Sequence, residues 1–220
     1  MPNEDERQFA VRDCALAAIA TGERAYNLRG LGDKVRTIDP GSIYYHFWGG
    51  LLRPRFDDPE YHNDFAIWAR YGLRDSLLAE RLGIIDPTEF TGLNALRERI
   101  AEVMEERLDE TEVVPSAARD NPFYFVRSQI VVFDTQRRIQ RPEELVSVVP
   151  EMSVGSIFYH FIDARRRTQS REDDFRVWLC TSFEGYEALC DILRKVHPFF
   201  SGLTELRQRL ADVFRTYFGK

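Results

Sequence analysis

Ser42, Tyr45 and His46 fall at positions i, i+3 and i+4 of a stretch that reads as helix. This puts a hydroxyl, a phenol and an imidazole on one face while Ile43 and Phe47 occupy another. Such a cluster could form a polar pocket, an anion site or an acid/base pair, because imidazole titrates near neutrality and is the commonest general base. Ser156, Tyr159 and His160 repeat the arrangement later in the chain. The alternative is structural: the rings are buried and their polar ends are satisfied by a neighbouring element or by the carboxylates of Asp64 and Asp174. The structural alternative carries more weight. Ser42, Tyr45, His46, Asp64, Ser156, Tyr159, His160 and Asp174 therefore define a candidate ligand-binding set in which no residue is assigned to catalysis.

Asp64 and Asp174 stand at the head of an apolar helical run, where a carboxylate caps the helix and complements its dipole. A metal site built from His46, Glu60, His62 and Asp64 has no parallel at the second occurrence, which reads Arg171-Glu172-Asp173-Asp174 and lacks a histidine. Neither a metal nor a cofactor is expected. No Gly-x-Ser-x-Gly elbow surrounds either serine, and no phosphate-binding glycine pattern is present. Arg165, Arg166, Arg167 and Arg171 form a dense basic cluster, read as a solvated loop, with an anionic ligand or acidic partner as the sharper alternative. The pairs Arg97/Arg99 and Arg207/Arg209 are two residues apart, about 200° around a helix, so the members of a pair cannot face one partner together.

The elements that position these residues come in two sets. Gly41-Ser42-Ile43-Tyr44-Tyr45-His46-Phe47 returns as Gly155-Ser156-Ile157-Phe158-Tyr159-His160-Phe161, six identities in seven positions at an offset of 114. Asp64-Phe65-x-x-Trp68 returns as Asp174-Phe175-x-x-Trp178 at an offset of 110, and Phe90, Gly92, Leu93, Leu96, Arg97 and Arg99 return at that same offset. Four residues are missing from the second copy between the motifs, as loops allow. The reading is a mainly α protein of two tandem, pseudo-symmetric helical repeats of about 100 residues. The first repeat spans 1–108 and the second 123–220, with a proline-containing linker at 109–122.

Asp39-Pro40 and Asp86-Pro87 mark helix starts. Leu93, Leu96, Ile100, Val103, Met104 and Leu108 form the apolar stripe of an amphipathic helix that Leu203 to Phe218 copies. Helices are also expected over Glu23–Ile38, Asn63–Leu73 and Asp75–Leu82, and Phe123–Val126 is the one stretch allowed as a short strand.

Composition bounds the function. With 44% hydrophobic and 30% charged residues the chain has the make-up of a globular protein, and its net charge of −6 argues against a general nucleic-acid or anionic-membrane binder. No membrane span is expected, and the acidic start Met1–Arg7 followed by the short run Cys14–Ala20 does not read as a signal peptide, which points to a cytoplasmic protein. Cys14, Cys180 and Cys190 form no CxxC pair and are expected to be reduced, semi-buried small residues.

On Ser42-Ile43-Tyr44-Tyr45-His46 followed by Asn63-Asp64-Phe65-x-x-Trp68, the chain resembles a family of uncharacterised bacterial and archaeal helical domains of unknown function. The resemblance covers the first copy and, more loosely, the second, where Phe158 replaces Tyr44 and Asp173 replaces Asn63. It implies a prokaryotic cytoplasmic protein with relatives encoded beside sugar-metabolism genes, and it carries over no catalytic residue. The expected function is that of a non-catalytic helical binding or adaptor protein whose partner is another protein. The alternative is a small-molecule binding protein or enzyme that uses the Ser-Tyr-His face and is linked to sugar metabolism.

Overall fold

The computed structural model describes residues 8–52, 60–199 and 202–219. Met1–Arg7 and Phe200, the partner of Phe90 in the repeat, lie outside them. The expectation of a mainly α protein is corrected: the described residues are 56% helical and 18% strand, and the fold is α/β. Two long strands, β1 (Phe9–Ala25) and β2 (Phe123–Ile139), pair antiparallel in a two-stranded sheet. Each strand opens its sequence repeat and is followed by helices. The first set is α1 (Leu28–Thr37), α2 (Pro40–Trp48), α3 (Asp64–Tyr71), α4 (Ser76–Gly83) and α5 (Leu93–Asp109). The second begins with the short helical turns Pro142–Glu144, α6 (Leu145–Val148) and Val149–Glu151. It continues with α7 (Val154–Ile157), a π-helical turn over Phe158–Asp163, α8 (Ala164–Arg167), α9 (Asp174–Ser182), α10 (Glu187–Arg194) and α11 (Leu203–Phe218).

The chain forms two compact units whose limits differ from those of the sequence repeats. One comprises Leu16–Gln129; the other comprises Met1–Ala15 with Ile130–Lys220. The first copy's helices are thus completed by the beginning of β2, and the second copy's helices by the beginning of β1. The breakpoints Leu16 and Ile130 are repeat-equivalent residues at the 114 offset. Cross-strand bonds obey the same symmetry: Thr21 Oγ1 donates to the Phe125 carbonyl at 2.7 Å, and the equivalent Thr135 Oγ1 donates to the Val11 carbonyl at 2.5 Å. Gly22 and its counterpart Gln136 both adopt left-handed backbone, with φ of 79° and 61°. Glycine does so without strain, whereas Gln136 has its amide held by the Asp134 carboxylate.

Helix starts follow their caps. Asn27, Asn63 and Asp75 accept from the backbone amides of Gly30, Ala66 and Leu78, and Asp39 accepts from Gly41 with Pro40 in the first turn. Three local expectations are corrected. Asp86-Pro87 forms a turn in which the Asp86 carboxylate accepts from the amide and hydroxyl of Thr88, so the side chain supports a bend instead of a helix. Residues 23–25 belong to β1, and the strand that starts at Phe123 runs on to Ile139, far beyond Val126. Within the stretch read as a linker, the Pro115 carbonyl accepts from Leu28 N–H and the Asn121 carbonyl from Trp68 Nε1.

Burial of matching residues aligns α10 with α4 one position further on than the 110 offset, since Leu78, Ala79 and Leu82 correspond to Leu189, Cys190 and Leu193. Arg97 and Arg207 perform one job twice. Each donates to the carbonyl that ends the segment opposite it, Ile38 at 2.6 Å and Met152 at 2.8 Å, while Arg99 and Arg209 pair with glutamates on their own helices.

Candidate functional site

The histidine of each copy's Ser-Tyr-His motif bonds the strand contributed by the other, and in the first copy the serine does so as well. In the first-copy unit, α2 buries Ser42, Tyr45 and His46. His46 Nδ1 lies 2.9 Å from Asp64 Oδ2, while Nε2 lies 3.1 Å from the backbone N–H of Val126 on β2. The amide can only donate, so Nε2 accepts and the ring proton sits on Nδ1, pointing at the carboxylate. Ser42 Oγ donates to the carbonyl of the same Val126 at 2.8 Å. The strand start is thereby held by an acceptor and a donor on adjacent turns of one helix. Phe123, two residues before Phe125, stacks on Phe65 at 5.1 Å and contacts His46 at 4.7 Å and Trp68 at 5.7 Å.

The second-copy unit repeats the design. His160 Nδ1 lies 2.8 Å from Asp174 Oδ2, and Nε2 accepts from the Arg12 N–H of β1 at 2.9 Å. Phe9 stacks on Phe175 at 5.2 Å and contacts His160 and Trp178 at 4.7 and 5.4 Å. The serine departs from the pattern, because Ser156 Oγ accepts from Ser153 Oγ, the hydroxyl that caps α7. The strand instead runs against Gly155, where an added Cβ would meet Asp13 Oδ1 at 2.2 Å and the Cys14 carbonyl at 2.4 Å, and Cys14 Sγ donates to the Gly155 carbonyl. Glycine is required there by close approach. Burial pushes the Cys14 thiol up to about 12, so it is inert as a nucleophile.

Burial lowers the His160 pKa below its ordinary value, a shift only partly opposed by Asp174. The fold therefore favours the neutral ring. Its stabilisation is fully present above the unfolded value near 6.5 and is lost as pH falls through the folded one. Asp64 and Asp174 are the first helical residues of α3 and α9; the caps are Asn63 and Asp173, one position earlier than the sequence reading placed them.

Part of the basic cluster is helical and ion-paired, while Arg166, Arg167 and Arg171 are exposed. Arg165, Arg166 and Arg167 lie on α8, and the π-helical turn before them places the Asp163 carboxylate, 1% exposed, against Arg166 at 3.1 Å and Arg167 at 2.9 Å. Arg167 also reaches Asp174 at 3.0 Å and the Tyr159 carbonyl at 2.9 Å while lying 3.9 Å above the Tyr159 ring. Arg165 lies over Phe161 and donates to its carbonyl. Arg171 stands apart in the turn that follows, with φ of 56°. Glu60 and His62 do not join His46 and Asp64: Glu60 accepts from the Tyr71 hydroxyl and pairs with Arg70. Among the described residues no group of three His, Cys, Asp or Glu is arranged to hold a metal ion.

The expectation that Cys180 and Cys190 are reduced is also corrected, since they form a disulfide between α9 and α10. Cysteines ten residues apart meet only because a helical hairpin folds them together, which no short spacing rule detects. Asp173 is a second feature of this hairpin. Its Oδ1 caps α9 at the Arg176 amide, but Oδ2 has no hydrogen-bond partner, with Arg176 Nε 3.8 Å away. Burial pushes the carboxyl up to about 6, against the pull of Arg165 and Arg176. An acid with a raised folded pKa loses stability as pH rises through that value. Asp173→Asn keeps the cap and removes the charge; it is expected to stabilise the protein by on the order of 1–3 kcal/mol at pH 7.5, with the gain fading below pH 6 and gone near pH 4. Urea melts of both proteins across that range check it.

A family of unknown function, DUF5752, matches residues 6–215, and the chain belongs to that family. The solved structure of OrfY from Thermoproteus tenax is similar, at 26% identity and a TM-score of 0.81 over 97% of this chain and 96% of that one. The comparison with curated proteins finds no match.

Proposed function

We propose that the protein is a non-catalytic binding protein whose partner is another protein, engaged by the outer face of α3 and α4. The observation that carries this reading is an asymmetry between the copies. Tyr71, Leu77 and Ile84 are 62%, 44% and 75% exposed. The matching positions of the second copy are Thr181, Ala188 and Lys195. Three solvated apolar side chains on one hairpin, matched by small or charged residues on the other, whose exposed apolar residue is Ile192, fit a docking surface. The state of the histidines supports the same reading: both ring nitrogens of His46 and His160 already hold the chain's own atoms, so no lone pair remains to act as a base.

No helix among the described residues is long and apolar enough to cross a membrane. A prokaryotic, cytoplasmic setting is part of the proposal, and the likeness to a Thermoproteus tenax protein supports its prokaryotic half. The test is affinity purification of the tagged chain from its host beside the variant Tyr71→Thr/Ile84→Lys. A stoichiometric protein retained by the parent and lost from the variant is expected. Equal retention by both, or no retained protein, contradicts the proposal.

A further inference from the structure

The two helical hairpins α3–α4 and α9–α10 hold themselves together differently. In the first copy α4 packs extensively along α3 over the small buried residues Ala66, Ala69 and Ala79, and a Cβ on Gly83 would lie 2.7 Å from Tyr61 Cδ1 and 3.9 Å from the Ala66 Cβ. Asn63 ties the ends, since its Oδ1 caps α3 while its Nδ2 donates to the Leu82 carbonyl at 2.9 Å. Tyr61 adds a bond from its hydroxyl to Glu80 at 2.7 Å.

Each of these features is changed in the second copy. Arg176, Leu179, Cys190 and Arg194 stand where the small residues were, and the contact between α9 and α10 is much less extensive. Asp173 replaces Asn63, and a carboxylate has no N–H to offer. Arg171 replaces Tyr61. The Cys180–Cys190 bond spans the hairpin instead. Cys180 is exposed near the end of α9, whereas Cys190 is 3% exposed, so one sulfur can be reached by an attacking thiolate and the other is shielded.

We propose that the Cys180–Cys190 disulfide is a redox latch on α10, opened by a dithiol reductant of the thioredoxin type and closed by oxidation. In the opening reaction a reductant thiolate attacks the exposed Cys180 Sγ, the S–S bond breaks, and its electron pair leaves on Cys190 Sγ, which takes up a proton. The reductant's second thiol then displaces Cys180 as the thiol. The reductant ends as its own disulfide and the protein as a dithiol. Opening removes the covalent tie from the hairpin with the poorer seam, and α10 loosens while α4 does not.

Hydrogen–deuterium exchange of the full chain tests this, with residues 76–83 as an internal control. The protein is compared after oxidised glutathione and after a thioredoxin-type dithiol system, and Cys180→Ser is measured in both. Reduction is expected to accelerate exchange in residues 187–194 by about tenfold or more and to leave 76–83 unchanged. Cys180→Ser should exchange like the reduced parent under both conditions. Unchanged exchange in 187–194, acceleration shared equally by 76–83, or failure of the pair to close under oxidised glutathione overturns the proposal.

Discussion

His46→Ala and His160→Ala are each expected to lower the melting temperature of the intact chain by on the order of 10 °C, and His62→Ala by much less. Three losses act together at either matched site. The strand amide of Val126 or Arg12 is left buried without its acceptor, the carboxylate of Asp64 or Asp174 loses a donor, and the aromatic cluster around Phe123 or Phe9 gains a void. An orphaned buried amide costs about 1–3 kcal/mol and a truncated ring in a packed core adds to it, against the few kcal/mol by which a unit of this size is stable. His62 is only half-buried. Melting curves by circular dichroism give the comparison. His46→Gln, whose amide oxygen can still accept from the strand, should recover part of the loss. A pair of matched variants that melt like the parent would mean that the imidazoles do not hold the strands.

The helices were legible because their signals are local. Asn63 and Asp75 cap α3 and α4, and the apolar stripes of α5 and α11 repeat at three- and four-residue spacing, so those four elements lie within a residue or two of expectation. The strands were not legible because their cause is distant. Ala15, Ala17, Ala18 and Ala20 favour helix by intrinsic propensity, and only pairing with a segment more than 100 residues away makes β1 a strand. A trace of it was present: Phe9-x-Val11 and Phe123-x-Phe125 open the two copies with the alternation of a half-buried strand, and all four side chains are buried. The spacing of serine, tyrosine and histidine was read as one helical face, and on α2 Ser42 and His46 meet the same strand residue, Val126. That the face receives a strand could not be read from it, because the strand offers backbone amides and carbonyls, which carry no sequence signature. The ion pairing of the arginine run was not legible because its partner, Asp163, is drawn into the core by a π-helical turn that composition does not announce.

The central feature of the protein is the exchange of strand beginnings between duplicated halves: a unit is complete only when the other copy supplies its Phe-x-Phe or Phe-x-Val segment. A cut at the repeat boundary therefore differs from a cut at the unit boundary. Residues 1–108 retain α1–α4 and all but the last residue of α5 but lack Phe123, Phe125 and the Val126 amide, so His46 faces no strand and the apolar face over Phe65 is bare. Residues 16–129 contain the whole unit. The most direct measurement is urea unfolding of these two fragments, followed by circular dichroism and tryptophan fluorescence. The account predicts one cooperative, coincident transition for 16–129 and none for 1–108; cooperative unfolding of 1–108 with the stability of 16–129, or failure of 16–129 to fold, would contradict it.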